Sequence, residues 1–284
     1  MLVKAHAKIN LALDVLGTRP DGYHELETIM QTLELHDELE ITTAPDITLA
    51  VQGADLPAGP ENLAYRAAAL LRERAEYAGG AEIRLVKRIP LAAGLAGGSA
   101  DAAAVLRGLN KLWHLGLGPA ELAALGAEIG SDVPFCLYGG TALVRGRGEA
   151  VTPLRDLPPL GVVLVKPPFG VSTAEVYRRY DALVNPPQPG CRRMLAAAKR
   201  GDAADLAACL VNSLEPVTMS LHPVIGAIKR ELSAAGALGV LMSGSGPTVF
   251  GLFKSRASAE RAAGMIRQED CWVTATCFHG AGRE

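Results

Sequence analysis

Two glycine-rich runs, one lysine and one aspartate are the residues of this chain best suited to chemistry. The first run is Pro90-Leu91-Ala92-Ala93-Gly94-Leu95-Ala96-Gly97-Gly98-Ser99, and it leads into a segment where Ala102, Leu106, Leu109 and Trp113 recur at helical spacing. Glycine lets backbone N–H groups close on an anion, and the helix that follows presents its positive end, so the run is suited to cradling phosphate. It is not a Walker A loop, because no Gly-Lys-Ser/Thr follows, and it lacks the Gly-x-Gly-x-x-Gly spacing of a dinucleotide fingerprint. The second run, Ser243-Gly244-Ser245-Gly246, sets two hydroxyls and two glycines between strand-like segments. Each run alone is equally a tight turn of small residues. Two in one chain suit a ligand with several phosphates. Lys8 alone reads as a surface lysine, and Asp132 alone as a solvated or capping carboxylate. Their chemistry depends on what brings them together.

The elements around these residues can be read from periodicity. Over residues 3–15, Val3, Ala5, Ala7, Ile9, Leu11, Leu13 and Val15 alternate with Lys4, His6, Lys8, Asn10 and Asp14. That alternation predicts a half-buried strand carrying Lys8 and Asn10 on one face. Arg19-Pro20-Asp21-Gly22 is a turn in which proline presets φ and glycine accepts a positive one. Strands are predicted near 33–42, 47–51 and 81–86, with a helix over 61–77. Gly118-Pro119 opens a helix that runs to Gly130. Asp132 lies just beyond, held off the helix by Pro134, and 135–144 reads as a strand. Asp156-Leu157-Pro158-Pro159 reads as a linker, dividing the chain into residues 1–155 and 156–284. The second part begins with a strand at 161–166, and helices follow near 173–184, 192–200, 203–210 and 223–235. It ends as strand 240–242, glycine-rich turn, strand 248–253, helix 257–267 and strand 272–278. The plan is α+β in two parts.

Composition removes several classes of function. A net charge of −2 over 284 residues gives no global attraction to nucleic acid or anionic membrane, so phosphate binding must be local. Five scattered cysteines without a CxxC pair argue against a disulfide framework and for a reducing cytoplasm. Lys4, His6, Lys8 and Asn10 interrupt any secretory core at the start, and no run approaches the ~18 apolar residues of a membrane span. The six histidines show no HExxH spacing, which weighs against a zinc hydrolase. Neither Ser243 nor Ser245 sits in Gly-x-Ser-x-Gly, which weighs against a serine hydrolase.

Ala7-Lys8-Ile9-Asn10-Leu11, Pro20-Asp21-Gly22-Tyr23-His24-Glu25, the 90–101 loop, Gly130-Ser131-Asp132-Val133-Pro134-Phe135 and Ser243-Gly244-Ser245-Gly246-Pro247-Thr248 stand in this order along nearly the whole chain. Together they resemble the GHMP kinases. The resemblance implies a two-domain GHMP kinase fold, with an N-terminal domain like ribosomal protein S5 domain 2, a ferredoxin-like C-terminal domain, and a site in the cleft between them. It implies ATP-dependent phosphorylation of a hydroxyl on a small cytidine diphosphate-linked isoprenoid precursor. Asp132 matches the family's catalytic aspartate and Lys8 its partner lysine. Asn10 matches a substrate contact, and Tyr23 and His24 match the pair that stacks on and hydrogen-bonds to cytosine. Tyr177 matches the aromatic on the opposite face of the base. The segment from Pro90 through Leu91, Ala92, Ala93, Gly94, Leu95, Ala96, Gly97 and Gly98 to Ser99 falls where the family cradles ATP phosphates, and Ser99 also helps to place Mg²⁺. Ser243, Gly244, Ser245 and Gly246 fall on the substrate side, and Asn62 and Lys87 are candidates for the adenine pocket. No cluster of protein metal ligands is expected. Ala92, Ala93 and Ala96 replace glycines common in this loop, which implies negative φ at those positions and a less open cradle.

Two other readings stay open at the level of sequence. One is a homoserine- or mevalonate-type kinase of the same superfamily, against which the Tyr23-His24 pair weighs. The other is a ligand sensor of the same fold that binds without turnover, against which the presence of both Lys8 and Asp132 weighs. A monomer or weak homodimer, located in the cytoplasm, is expected.

Overall fold

The structure is a computed structural model and describes residues 1–281. Its first part is built on two long paired strands, β1 (Leu2–Thr18) and β2 (His24–Ala44), joined through the turn at 19–23. After β3 (Thr48–Gln52) come α1 (Leu63–Arg74), β4 (Gly80–Val86), α2 (Gly97–Leu112), α3 (Pro119–Ile129), α4 (Val133–Tyr138), β5 (Thr141–Gly146) and β6 (Ala150–Pro153). The strand path is β3-β4-β2-β1, with β5 pairing both β2 and β6. Leu39, Ile41 and Ile83 of the sheet pack against Ala64, Ala67 and Leu71 of α1 and against Val105, Leu106 and Leu109 of α2. The Asn62 side chain caps α1 by accepting from the Ala64 N–H.

The second part comprises β7 (Gly161–Lys166), α5 (Thr173–Asp181), α6 (Cys191–Arg200), α7 (Ala203–Ala208), β8 (Val211–Asn212), α8 (Glu215–Leu221), α9 (Val224–Ala234), β9 (Gly239–Met242), β10 (Val249–Phe253), α10 (Arg256–Ala263) and β11 (Trp272–Cys277). Its sheet is antiparallel in the order β11-β7-β10-β9, the ferredoxin-like arrangement of two strand–helix–strand halves. Ile225, Ile228 and Leu232 of α9 and Ala259 and Ala262 of α10 pack against Val163, Val165 and Val249.

The two parts share a core. Ala7, Ile9 and Leu11 of β1 lie in one cluster with Leu164 and Phe250 of the second sheet, and β8 adds a short parallel strand to β1. Fully burying an isoleucine or phenylalanine here contributes about 1.5–3 kcal/mol, so this seam holds the cleft walls in register. The linker expected at 156–159 has no regular structure, and the last three residues of the expected 156–284 part lie outside the described residues.

Four expectations need correction. From Ala7 to Val15 β1 is buried on both faces: Lys8, Asn10 and Asp14 are as inaccessible as their apolar neighbours. A bulge between His6 and Lys8 also changes its facing, so Val3 and Ala5 pack against the helices while Ala7, Ile9 and Leu11 pack toward the second sheet. Residues 135–144 are not one strand but α4 followed by β5, because a short apolar run does not distinguish buried helix from buried strand. Pro134 sits in the first turn of α4, where its missing N–H has no partner to lose, and Asp132 is the N-cap residue in the αR region. β2 begins at His24, well before the expected 33, because β1 and β5 on its two sides supply ladder partners that its mixed sequence does not advertise. β8 and α8 had no expected counterpart.

Candidate active site

Between the two parts runs a cleft of about 1010 Å³. Its lining includes Lys8 and Asn10 of β1, the first glycine-rich loop, Asp132, and Gly244 and Ser245 of the second loop. Lys8 Nζ lies 3.4 Å from Asp132 Oδ2, with the lysine side chain 5% exposed and the carboxylate 30%. The ammonium also donates to Asn10 Oδ1 at 2.9 Å and to the Gly94 carbonyl at 3.3 Å. Asn10 Nδ2 in turn donates to Thr28 Oγ1 at 2.9 Å, whose hydroxyl donates to the Ala12 carbonyl at 2.6 Å. This directed chain fixes the amide orientation of Asn10 and leaves the ammonium aimed at Asp132. A nearly dry lysine beside a carboxylate that still meets solvent is an arrangement in which a substrate hydroxyl can enter and give up a proton.

Four hydrogen bonds hold the two loops in place, one of them directly between the loops. The Lys8 N–H donates to the Leu95 carbonyl at 3.1 Å. Ser243 Oγ donates to the Gly94 carbonyl at 3.0 Å. Asn212 Nδ2 donates to the Met242 and Gly244 carbonyls, both at 2.8 Å. Gly94 has φ +73°, and a methyl group there would overlap the Ser243 carbonyl oxygen. Leu95, Ser243 and Gly246 thus support the cleft without lining it, while Pro90, Leu91, Ala92, Ala93, Ala96, Gly97, Gly98 and Ser99 line it. Gly97, Gly98 and Ser99 form the first turn of α2, where N–H groups have no intrahelical acceptor. The expectation that the alanines keep φ negative fails at two of three sites: Ala92 has φ 48° and Ala96 φ 57°. Each therefore adopts the shape a glycine would, at about 1–2 kcal/mol of backbone strain.

The two residues assigned to an adenine pocket are placed differently. Asn62 does not line the cleft; it caps α1, and its Nδ2 donates to the Pro57 carbonyl at 2.9 Å. Lys87 does line it, yet its ammonium donates to Asp37 and, at 2.6 Å, to Asp101 Oδ2. Burial pushes the Asp101 carboxyl up to about 7 and the Asp37 charge adds to the rise, while the Lys87 charge opposes it. The trio lies beneath Gly97, where an added methyl would stand 3.3 Å from Lys87 Nζ. It forms a floor under the start of α2.

Also lining the cleft, the His24 ring stacks on Tyr177 with centroids 4.5 Å apart and planes 24° from parallel. His24 Nε2 meets Asp181 Oδ1 at 2.8 Å. Burial, with the Asp132 charge second, raises the pKa of the Tyr177 phenol, so it stays neutral. Tyr23 is 54% exposed, with the Arg147 guanidinium 4.9 Å from its ring centroid. Polar-tipped aromatics and a carboxylate–lysine pair lining one cleft suit a ligand that carries both a flat base and a hydroxyl.

The GHMP kinase N-terminal domain matches residues 62–140 and the GHMP kinase C-terminal domain residues 194–270. A 4-diphosphocytidyl-2-C-methyl-D-erythritol kinase of Pelotomaculum thermopropionicum is 59% identical over 96% of this chain and 96% of its own. One from Moorella thermoacetica is 53% identical over 94% and 95%. A crystal structure of 4-(cytidine 5'-diphospho)-2C-methyl-D-erythritol kinase superposes with a TM-score of 0.83 at 40% identity, covering 99% of this chain and all of that one. The chain belongs to this family of GHMP kinases. A homoserine kinase of Cytophaga hutchinsonii, at 21% identity and TM-score 0.73 over 99% and 95% of the two chains, shares the fold alone.

Within this GHMP kinase, sequence reasoning missed several residues that line or support the cleft. Thr28 and Asn212 act through Asn10 and the second loop, and nothing local in their sequence marks them. Asp181 is one more acidic residue at a helix end until the fold sets it against His24. Arg147 had a signal: it stands between Gly146 and Gly148, the pattern of a tight turn that presents one side chain.

Proposed function

We propose that this chain transfers the γ-phosphoryl group of ATP to the 2-hydroxyl of 4-diphosphocytidyl-2-C-methyl-D-erythritol, a step of non-mevalonate isoprenoid precursor synthesis. The observation that carries the reading is the 3.4 Å approach of Lys8 Nζ to Asp132 Oδ2 in a cleft that Tyr23, His24 and Tyr177 also line. Phosphoryl transfer passes through a loose transition state, so the protein chiefly aligns the acceptor oxygen with the γ-phosphorus and offsets charge. Asp132 accepts the hydroxyl proton as the acceptor oxygen bonds to phosphorus and the bond to the β-phosphate oxygen breaks, leaving ADP. Lys8, 3.4 Å from the carboxylate, holds it in place. The N–H groups at the start of α2 face the ATP phosphates, and the base lies with Tyr23, His24 and Tyr177, where a hydrogen-bonding edge selects cytosine.

Mg²⁺ fits this donor set, because Ser99 Oγ and the Asp132 carboxylate are hard oxygen donors lining the cleft. Among the described residues the only clustered ligand trio is Asp14, Glu27 and Cys191. Asp14 there already accepts the Gly190 and Cys191 N–H groups, so the cleft is suited to an ion held mainly by nucleotide phosphates. When bound, the ion neutralises charge on the β- and γ-phosphates. Five free cysteines support a reducing cytoplasm, and no helix among the described residues is long and apolar enough to cross a membrane. A monomer or weak homodimer without a nucleic-acid partner completes the proposal.

The test is ADP release with Mg²⁺-ATP and one acceptor at a time: the cytidine diphosphate substrate, homoserine or mevalonate. Turnover with the first alone is expected. Asp132→Asn should lower kcat by about 10²–10⁴-fold with KM nearly kept. Turnover with homoserine or mevalonate in place of the cytidine substrate, or tight binding of that substrate with no ADP formed, overturns the reading.

A further inference from the structure

Four cationic side chains of lysine and arginine line the cleft, and three are committed. Lys8 pairs with Asp132, Lys87 with Asp37 and Asp101, and Arg178 with Glu175. Among the described residues, Arg147 has no carboxylate within ion-pair distance.

Its position is built rather than incidental. Arg147 sits in the turn between β5 and β6, where Glu149 Oε2 accepts its backbone N–H at 2.6 Å. Gly146 has φ +74° and Gly148 φ +124°, so both take conformations that a side chain disfavours. Gly148 is packed so tightly on Ser131 that an added methyl would stand 2.8 Å from the Ser131 carbonyl. The turn is therefore braced against the residue preceding Asp132, while the guanidinium projects over Tyr23. Arg147 thus lines the cleft between its ring contact on Tyr23 and the Ser131 backbone that leads into Asp132. In a substrate with a base at one end and an acceptor alcohol at the other, the diphosphate must cross this interval. A guanidinium presents a planar fork of donors that suits phosphate oxygens, and it can stack on an aromatic face at the same time.

We propose that Arg147 is the cation that binds the diphosphate of the cytidine diphosphate-linked acceptor. It is a specificity residue that makes the site prefer a nucleoside diphosphate over a nucleoside. The proposal rests on the function proposed above.

The test compares wild type, Arg147→Met and Arg147→Lys by calorimetric binding of CDP and of cytidine, together with steady-state kinetics. Arg147→Met should weaken CDP binding and raise KM for the cytidine substrate by roughly 10- to 100-fold. Affinity for cytidine, KM for ATP and kcat should stay within about threefold of wild type. Arg147→Lys should recover part of the loss. Equal CDP affinity in wild type and Arg147→Met overturns the proposal, as does an equal loss for CDP and cytidine, which would mean that Arg147 only props Tyr23. Failure of the function itself reads differently, since wild type would then not turn over the cytidine substrate.

Discussion

Gly94→Ala tests whether the two loops must meet for turnover. Gly94 has φ +73°, so alanine there carries about 1–2 kcal/mol of left-handed strain. The new methyl would also overlap the Ser243 carbonyl oxygen and stand 3.1 Å from the Gly246 carbonyl oxygen, both backbone atoms that cannot rotate aside. The loops would have to part by on the order of 1 Å, and a misplacement of that size can cost about 10²-fold in rate. The displacement reaches the chemistry directly, because the Gly94 carbonyl accepts from both Lys8 Nζ and Ser243 Oγ. Gly116 provides the control: it has φ +70° with nothing within 4 Å of an added methyl. Gly116→Ala should therefore lower Tm by a few degrees, at roughly 2–4 °C per kcal/mol, and keep kcat. Gly94→Ala should lower both Tm and kcat, the latter by about 10²-fold. Thermal unfolding and ADP release on the same preparations read the two effects. A folded Gly94→Ala enzyme with kcat within about threefold of wild type refutes the clamp.

Two further outcomes follow from the site and its surroundings. His24→Ala should raise KM for the cytidine substrate about tenfold with little change in kcat, since it removes base recognition rather than the transfer step; unchanged KM removes His24 from that role. His6 is held near a pKa of about 4, first by burial and then by the neighbouring charges of His279, His36 and Arg107, against a hydrogen bond to the Leu33 carbonyl. Above the ordinary value of 6.5 both folded and unfolded chains hold this ring neutral. Below it the unfolded chain takes a proton that the folded one refuses until about 4, so this contribution to stability is lost as pH falls through that window. The loss should amount to about 1–3 kcal/mol, allowing for partial exposure, and His6→Asn should flatten it in denaturant titrations at pH 7 and pH 4.5. An equal slope in the variant means that other groups carry the dependence.

What the sequence by itself determined is what short-range chemistry dictates. Glycine followed by helical spacing marked the 90–99 loop and the start of α2, Gly118-Pro119 marked α3, and period two marked β1 with Lys8 and Asn10 on one side. The order of strands and helices after Gly161 was enough for an α+β plan, because most of these elements are several residues long and periodic, while the ferredoxin-like arrangement came from the resemblance to the GHMP kinases. Tertiary structure alone decided which cations are free. Lys87 is an adenine-pocket candidate in the sequence, yet Asp37 and Asp101 converge on it, while among the described residues Arg147 forms no salt bridge. The same holds for α4 against a strand, for the change of face along β1 and for the two residues of β8, since each is settled by partners from distant segments. Lys8 and Asp132 each carry a local signal too weak to name a role. Only the sheet and α4 bring the ammonium and the carboxylate to 3.4 Å from each other.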